Sequence, residues 1–382
     1  MNFDLTEEQQ MLNDSLRRFV ANEYTFEKRG DIIKSEKGTD PATWSAFAEM
    51  GLLGFTFPED YDGLGGNAVD TMVVMENFGR GLVTEPYLAT VVLAGGLVRD
   101  LGNDAQKSDI LPAIASGERM MAFAHFEPGA RYNLEYVHTT ARKDGDHFLI
   151  SGHKTAVLHG GQADQLIVSA RTSGTASDRQ GLSLFIVDAG SKGVKVDDFA
   201  THDGHRIADI SFSNVTVSAD NLMGIIDEAF PHIEKAIDLG ISAVCAEAVG
   251  AMEAMNAATL EYTKARKQFG VPIAKFQVLQ HRMADMFIQT EQARTMAILA
   301  AGEADSDDRA RRREAISMAK TLVGQAAKYV GQQGVQLHGG MGVTDEMFAA
   351  HLFKRLTLIN PLFGDADHHL AQVSDGLLAA SA

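Results

Sequence analysis

Cysteine is nearly absent from the 382-residue chain. Its one thiol, Cys245, excludes an intrachain disulfide and a thiolate metal cluster, and no metal site is expected. The setting of that thiol, Ala243-Val244-Cys245-Ala246, predicts a buried, inert side chain. No apolar run approaches the ~20 residues that a spanning helix needs, so no membrane helix is expected. The opening Met1-Asn2-Phe3-Asp4-Leu5 offers neither a basic stretch nor an apolar one. It therefore predicts no signal peptide and a cytoplasmic chain. Positive charge is also in deficit: 34 lysines and arginines face 51 acidic residues, for a net charge of −17. That balance argues against nucleic acid or an anionic membrane as a general partner, but it leaves room for a local basic pocket that holds phosphates. No internal repeat is visible.

What is present is a globular composition, 45% hydrophobic and 22% charged. The length exceeds one ordinary core and predicts two or three domains. Residues 1–120 read as helical. Thr6 and Gln9 form a capping-box pattern, and Leu12, Leu16, Phe19 and Val20 recur at helical spacing. Trp44, Phe47, Met50 and Leu53 make a second apolar face; Pro58–Gly66 reads as a loop, with helices resuming over Val69–Arg80 and Tyr87–Leu101. Residues 121–225 read as β. Strand-like runs flank Asp144-Gly145-Asp146, a hairpin signal, and others lie at Leu166–Ala170, Leu182–Val187 and Ile210–Val217. Short strands between turns suggest a small antiparallel barrel or sandwich. Residues 226–382 return to helical patterning, broken at Gly270-Val271-Pro272, Ala304–Asp308 and Gly339–Gly342, which suggests a bundle.

Several segments are more specific. Phe123–Ala130 is similar to a "T-E-P-x-A-G-S-D" loop, and Gly152-His153-Lys154 followed by Gly160–Asp164 to a "G-x-K-x-W-I-T-N-G" strand. Ala265–Gly270 matches "x-R-x-x-F-G", Gln336–Gly342 matches "Q-x-x-G-G-x-G", and Pro58–Gly66 with Glu76–Gly81 resembles an N-terminal loop and helix. Together, and in this order, they resemble the acyl-CoA dehydrogenase family. The resemblance implies an α+β fold: an N-terminal α-helical domain, a middle antiparallel β-barrel or sandwich, and a C-terminal four-helix bundle. It also implies FAD as cofactor, an acyl-CoA substrate oxidised to the trans-2-enoyl-CoA, and an electron-transfer flavoprotein as partner.

The resemblance assigns cofactor binding to Arg266, Gln268, Phe269, Gln336, His338, Gly339 and Gly340, reaching across a dimer interface to the adenine and diphosphate of a neighbour's FAD. A guanidinium at Arg266 suits bidentate pairing with a diphosphate oxygen. The plain alternative is that Lys264, Arg266 and Lys267 only complement a helix C-terminal dipole. Gly339-Gly340 permits close backbone approach, or is a simple interhelical turn.

The chemistry of the family needs a carboxylate base, and the usual position for it, in "Y-E-G-T", is Phe363 here. A second position used by some members aligns with Gly240. Glu247, seven residues on and thus on the same helix face, is the candidate base; its alternative is a packing acid paired with a basic neighbour. Asp365 and Asp367 are shorter alternatives with a larger chance of capping, while His368 and His369 are expected at the surface or an interface. On the flavin side, Phe126, Ala156 and Leu158 stand where the family has threonine, tryptophan and threonine, and Arg131 and Tyr132 replace small residues. These changes remove hydrogen-bond partners and fill space. The combined expectation is a partner-dependent subunit, similar to the small subunits of heteromeric pimeloyl-CoA or steroid side-chain dehydrogenases. It would assemble as an α2β2 tetramer with a related catalytic chain, whose FAD it shares. The alternatives are a self-sufficient homo-oligomer that uses Glu247, a flavin oxidase or monooxygenase relative, and a structural paralogue.

Overall fold

The computed structural model describes residues 5–380. Met1–Asp4, on which the expectation of no signal peptide largely rested, lie outside the described residues. Among those described, no helix is long and apolar enough to cross a membrane. The N-terminal stretch is helical: α1 (Glu7–Asn22), α2 (Phe26–Lys34), α3 (Pro41–Glu49), α4 (Ala68–Gly81), α5 (Gly96–Leu101) and α6 (Asp104–Ala115). Strands follow: β1 (Met121–Ala124), β2 (Thr140–Asp144), β3 (His147–Leu158), β4 (Gln165–Arg171), β5 (Leu182–Asp188), β6 (Val194–Ala200), β7 (Arg206–Ser218) and β8 (Leu222–Met223). Then α7 (Phe230–Ala265) leads into a short hairpin, β9 (Lys267–Gln268) and β10 (Val271–Pro272). The chain ends in α8 (Gln277–Ala304), α9 (Arg309–His338), α10 (Phe348–Ile359) and α11 (Ala366–Ala380). This is the expected α+β order.

Local chemistry explains several boundaries. At the start of α1 the expected capping box forms: Gln9 N donates to Thr6 Oγ1 at 3.2 Å and Thr6 N to Gln9 Oε1 at 3.1 Å. Asn67 and Asp70 make the same box for α4. The helix expected over Tyr87–Leu101 is wound as a π-helix across Leu88–Gly95 before α5, with Thr90 Oγ1 donating to Met121 O at 2.9 Å.

The folded chain divides into two compact units, each described by itself. One holds the chain up to Asp31, Asn67–Val83 and everything from Ile241 on; the other holds Ile32–Gly66 and Thr84–Gly240. Helices that are N-terminal in sequence thus join the C-terminal ones: α1 packs on α4, and α4 on α8.

In the second unit the sheet order is β6-β7-β3-β2-β4-β5-β8. The β2–β3 hairpin closes at Asp144 opposite His147, as expected. Two pairings differ from the antiparallel expectation, because β1 and β2 both run parallel to β4. Parallel neighbours need a long crossover, and the intervening β2–β3 hairpin supplies one for β1 and β4. The core of the sheet is Phe148, Ile150, Leu166, Val168, Phe185 and Phe212, each worth roughly 1.5–3 kcal/mol of apolar burial. β6 was not legible as a strand, since Lys195, Asp197 and Asp198 interrupt its few apolar residues.

In the first unit, α4 and the later part of α7 touch backbone to backbone. A Cβ placed on Gly79 would overlap the carbonyl oxygen of Glu247, and one on Gly250 would overlap that of Glu76. Charges flank this crossing. Glu76 accepts from Arg80 and from Arg294 (2.5 Å), while Glu253 accepts from Arg17 (3.0 Å), Arg80 (2.5 Å) and Arg294 (3.2 Å). Burial alone would push the Glu253 carboxyl up, but Arg80, Arg17 and Arg294 outweigh it and hold the group below its ordinary 4.5.

Two outcomes follow. Gly250→Ala should lower unfolding free energy by at least ~1–3 kcal/mol in urea titration, because backbone has no room to yield. Since the carboxyl of Glu253 is depressed in the fold, the stability it contributes is present above about pH 4.5 and lost as pH falls further. The Tm gap between wild type and Glu253→Gln should therefore be clear at pH 7 and shrink by pH 3.

Candidate functional site

In the first unit, α7 ends at Ala265, earlier than the stop expected at Gly270 and Pro272, because the β9–β10 hairpin intervenes. Gln268 pairs with Val271, which leaves Phe269 and Gly270 as a two-residue loop with φ of 53° and 80°. Positive φ at both positions is the type I′ requirement, which suits glycine and strains a bulky residue. Phe269 is nonetheless 92% exposed, its ring meeting only the edge of Phe276 at 6.2 Å. Backbone outliers of this kind cluster at functional sites in proteins.

Beside this hairpin lies a groove of about 610 Å³. It brings together Arg266, Gln268, Gln336, His338, Gly339 and Gly340, residues 70 positions apart in sequence, and adds Tyr262 and Arg282. Phe269 is not in the lining. No carboxylate is in it either, although the chain is strongly acidic overall. The side chain of Arg266 is exposed and has no partner among the described residues, while Arg282 donates to Gln333 Oε1 at 2.9 Å. At the end of α9, Gly339 takes φ 60° and ψ −144°, a conformation that favours glycine. A Cβ on Gly339 or Gly340 would meet only open space. Two arginines, no acid and an open glycine backbone are a donor set that fits a diphosphate. Sequence reasoning missed Tyr262 and Arg282; they lie one helical turn before Arg266 and across α8, and no motif marks them.

Glu247 has a different setting. It is 2% exposed, and both of its oxygens are held by Arg355, with Nε to Oε1 at 2.6 Å and Nη2 to Oε2 at 2.7 Å. The candidate base therefore sits in a bidentate pair, the setting of the alternative reading as a packing acid with a basic neighbour. Phe363, expected at the usual base position, takes φ 60°. The turn that carries it is pinned by Lys320, which the sequence did not flag. Lys320 Nζ is fully buried and donates to Ile359 O, Asn360 O and Gly364 O at 2.9, 2.7 and 2.9 Å. Burial pulls its pKa down to about 8, and burial pushes the nearby Cys245 thiol up to about 12, the inert state expected for it. Asp365 accepts from His368 N at 2.9 Å and so caps α11, and Asp367 is exposed in its first turn. His369 is not at the surface: it is buried with Nε2 donating to Phe363 O at 3.2 Å, and burial drives its pKa to about 3.

In the second unit, two of the matching segments meet. Lys154 Nζ is fully buried and reaches Glu127 Oε1 at 2.7 Å, His125 O at 3.0 Å and Ser169 Oγ at 3.0 Å. Glu127 also accepts from His138 N and Thr139 N at 2.6 and 3.0 Å. The scaffold of the "T-E-P" loop and "G-x-K" strand is thus complete. Ala156 sits at φ 52° in a bulge between Lys154 and Val157, and Phe126, Arg131, Tyr132 and Leu158 lie on the same two segments.

This arrangement is that of a flavin-dependent oxidoreductase that acts on acyl thioesters, and comparison with known proteins agrees. The N-terminal, middle and C-terminal domains described for acyl-CoA dehydrogenase match residues 6–118, 122–215 and 230–378. The chain is 32% identical over 351 residues to a probable acyl-CoA dehydrogenase, YngJ, of Bacillus subtilis, covering 91% of each. It is 30% identical to the caffeyl-CoA reductase-Etf complex subunit CarC of Acetobacterium woodii, covering 91% of this chain and 92% of that one. A chain of the ChsE4-ChsE5 complex from Mycobacterium tuberculosis superposes with a TM-score of 0.89 at 25% identity, covering 99% of each. The chain belongs to the acyl-CoA dehydrogenase family of FAD-dependent oxidoreductases.

The Arg355 clamp can be tested directly. Glu247→Gln should cost ~3–5 kcal/mol in chemical denaturation by taking the carboxylate charge out of a buried bidentate pair with Arg355. The double replacement Glu247→Leu, Arg355→Met should recover most of that loss; equal losses would remove the ion-pair account.

Proposed function

We propose that this chain is a partner-dependent subunit of an acyl-CoA dehydrogenase, and that its groove clasps the adenine-diphosphate arm of an FAD whose flavin end is held by a related catalytic subunit. One observation carries the reading: the groove brings two arginines together with no acid in its lining, while Glu247 is locked to Arg355. In this role Arg266 and Arg282 pair with phosphate oxygens, the open backbone at Gly339 and Gly340 lets the diphosphate approach, and exposed Phe269 is covered by the partner. Bound FAD supplies the hydride acceptor for α,β-dehydrogenation of an acyl-CoA to the trans-2-enoyl-CoA. In this reading the base that takes the α-proton comes from the partner, because Arg355 holds both oxygens of Glu247.

The assembly is an α2β2 tetramer in this reading; the similar ChsE4-ChsE5 structure, a complex of two differently named chains, supports pairing with a second kind of chain. The similar caffeyl-CoA reductase-Etf complex subunit supports an electron-transfer flavoprotein as electron acceptor. A self-sufficient homo-oligomer that uses Glu247 as base is the alternative, and the bidentate clamp disfavours it.

The full-length chain purified alone should be colourless, and should retain flavin only when co-purified with its related subunit. One FAD per chain in the isolated protein would overturn the proposal. In the complex, Arg266→Ala should weaken flavin retention by about tenfold or more, as loss of a charge-assisted pair implies. Phe363→Glu should leave the isolated chain inactive toward acyl-CoA, because a base alone does not restore the flavin side.

A further inference from the structure

We infer that His351 is a proton-sensitive strut: its neutral ring ties the loop at residues 344–347 to the buried Arg29, and a second proton on the ring releases that loop. Only the consequence for cofactor retention rests on the proposed reading of the groove.

The strut joins four pieces of one unit. Arg29 of α2 is 1% exposed, and its Nε donates to Leu82 O, at the end of α4, at 2.8 Å. Its Nη1 lies 3.1 Å from Nδ1 of His351 on α10. On the other side of the ring, Nε2 lies 2.9 Å from Asp345 O. A guanidinium has only hydrogens to give, and a carbonyl only lone pairs. Nδ1 therefore accepts, and Nε2 carries the single ring proton and donates; both bonds ask for the same neutral tautomer. Phe26 meets the ring edge-on at 5.0 Å. The loop leads straight back to the groove, since Met347 N donates to Thr344 O at 3.2 Å and Thr344 N to Met341 O at 3.1 Å. Met341, Gly340 and Gly339 are in the groove lining.

A second proton would go to Nδ1, setting N–H against N–H and a cation beside a buried cation. Arg29 cannot swing away without giving up Leu82 O, so the ring yields and Asp345 O loses its donor. The other contact from α10, Lys354 Nζ to the Asp345 carboxylate at 2.8 Å, is an exposed ion pair and holds little. The charged groups that bear on the ring are Arg29 from α2, Lys354 on its own helix and Asp345 from the loop. Burial holds its pKa below the ordinary 6.5; Arg29 and Lys354 add to this, and Asp345 opposes it. An opened loop lets water reach the ring and restores the ordinary value. Opening is therefore favoured by up to about tenfold per pH unit below 6.5, until the folded ring itself titrates.

The test is a spin label on the full-length chain carrying Val343→Cys. Val343 is 71% exposed and outside the groove lining, and Cys245 is too deeply buried to compete for the label. Between pH 8 and pH 5 the ratio of mobile to immobile signal should rise below pH 6.5, by up to about tenfold per unit, with far-UV circular dichroism unchanged. With His351→Gln added, the side chain is uncharged at every pH, and the ratio should not change with pH. His338, the other histidine beside this segment, stays in that variant, so a surviving rise there overturns the inference. A flat ratio with His351 in place overturns it too, and needs no second variant. In the complex with the related subunit, FAD retention should fall over the same range and stay level with His351→Gln. Loop release with FAD fully retained leaves the strut standing and counts against the clasp.

Discussion

Where α4 and α7 cross, main chain lies on main chain. Gly79 and Gly250 are the only side-chain lengths that fit there, because each faces a carbonyl oxygen of the other helix. Much else in that unit is arranged around the crossing. Glu76 and Glu253, one from each helix, are close enough to share Arg80 and Arg294. Glu247, whose own carbonyl is the one Gly79 admits, turns its side chain to Arg355 of α10. A contact of this kind fixes the rotation and depth of α7, and so fixes which of its residues are buried and which stand at its far end beside the groove.

That constraint bears on what α7 can do chemically. A carboxylate on a helix so tightly packed has little freedom to reach a substrate, and Arg355 takes up both of its oxygens. The turn at Phe363 is held with similar rigidity, with three carbonyls on the buried Lys320 ammonium and one on His369. In the other unit the Lys154–Glu127 pair keeps its loop and strand joined. Buried ion pairs and close backbone contacts thus hold the framework of each unit. Buried pairs such as these resist piecemeal loss, because removal of one partner strands a charge. Side chains that face a ligand carry no such penalty and are freer to change.

Much of the fold was legible because it rests on local or periodic signals. The Thr6–Gln9 box, the Asp144–Asp146 hairpin and the helical order at both ends involve residues close in sequence, where spacing alone decides which face is buried. The parallel pairing of β1 and β2 with β4 was not legible, since strand direction is set by a distant crossover. Nor was β6, whose charged residues at the sheet edge obscure the alternation.

The candidate site divides the same way. By itself the sequence determined the family, through five ordered segments, and the identity of the groups at the key positions: arginine at 266, the glycine pair at 339 and 340, phenylalanine at 363. Tertiary structure decided what those groups have become. It drew Arg266 and Gln336 into one groove and added Tyr262 and Arg282, left Phe269 in solvent, gave Glu247 to Arg355, and buried His369 and Lys320 around the Phe363 turn. The reason is physical: whether a charged or aromatic side chain is a tool or a strut depends on what lies within a few ångströms of it. For these residues those neighbours come from helices tens of positions away along the chain.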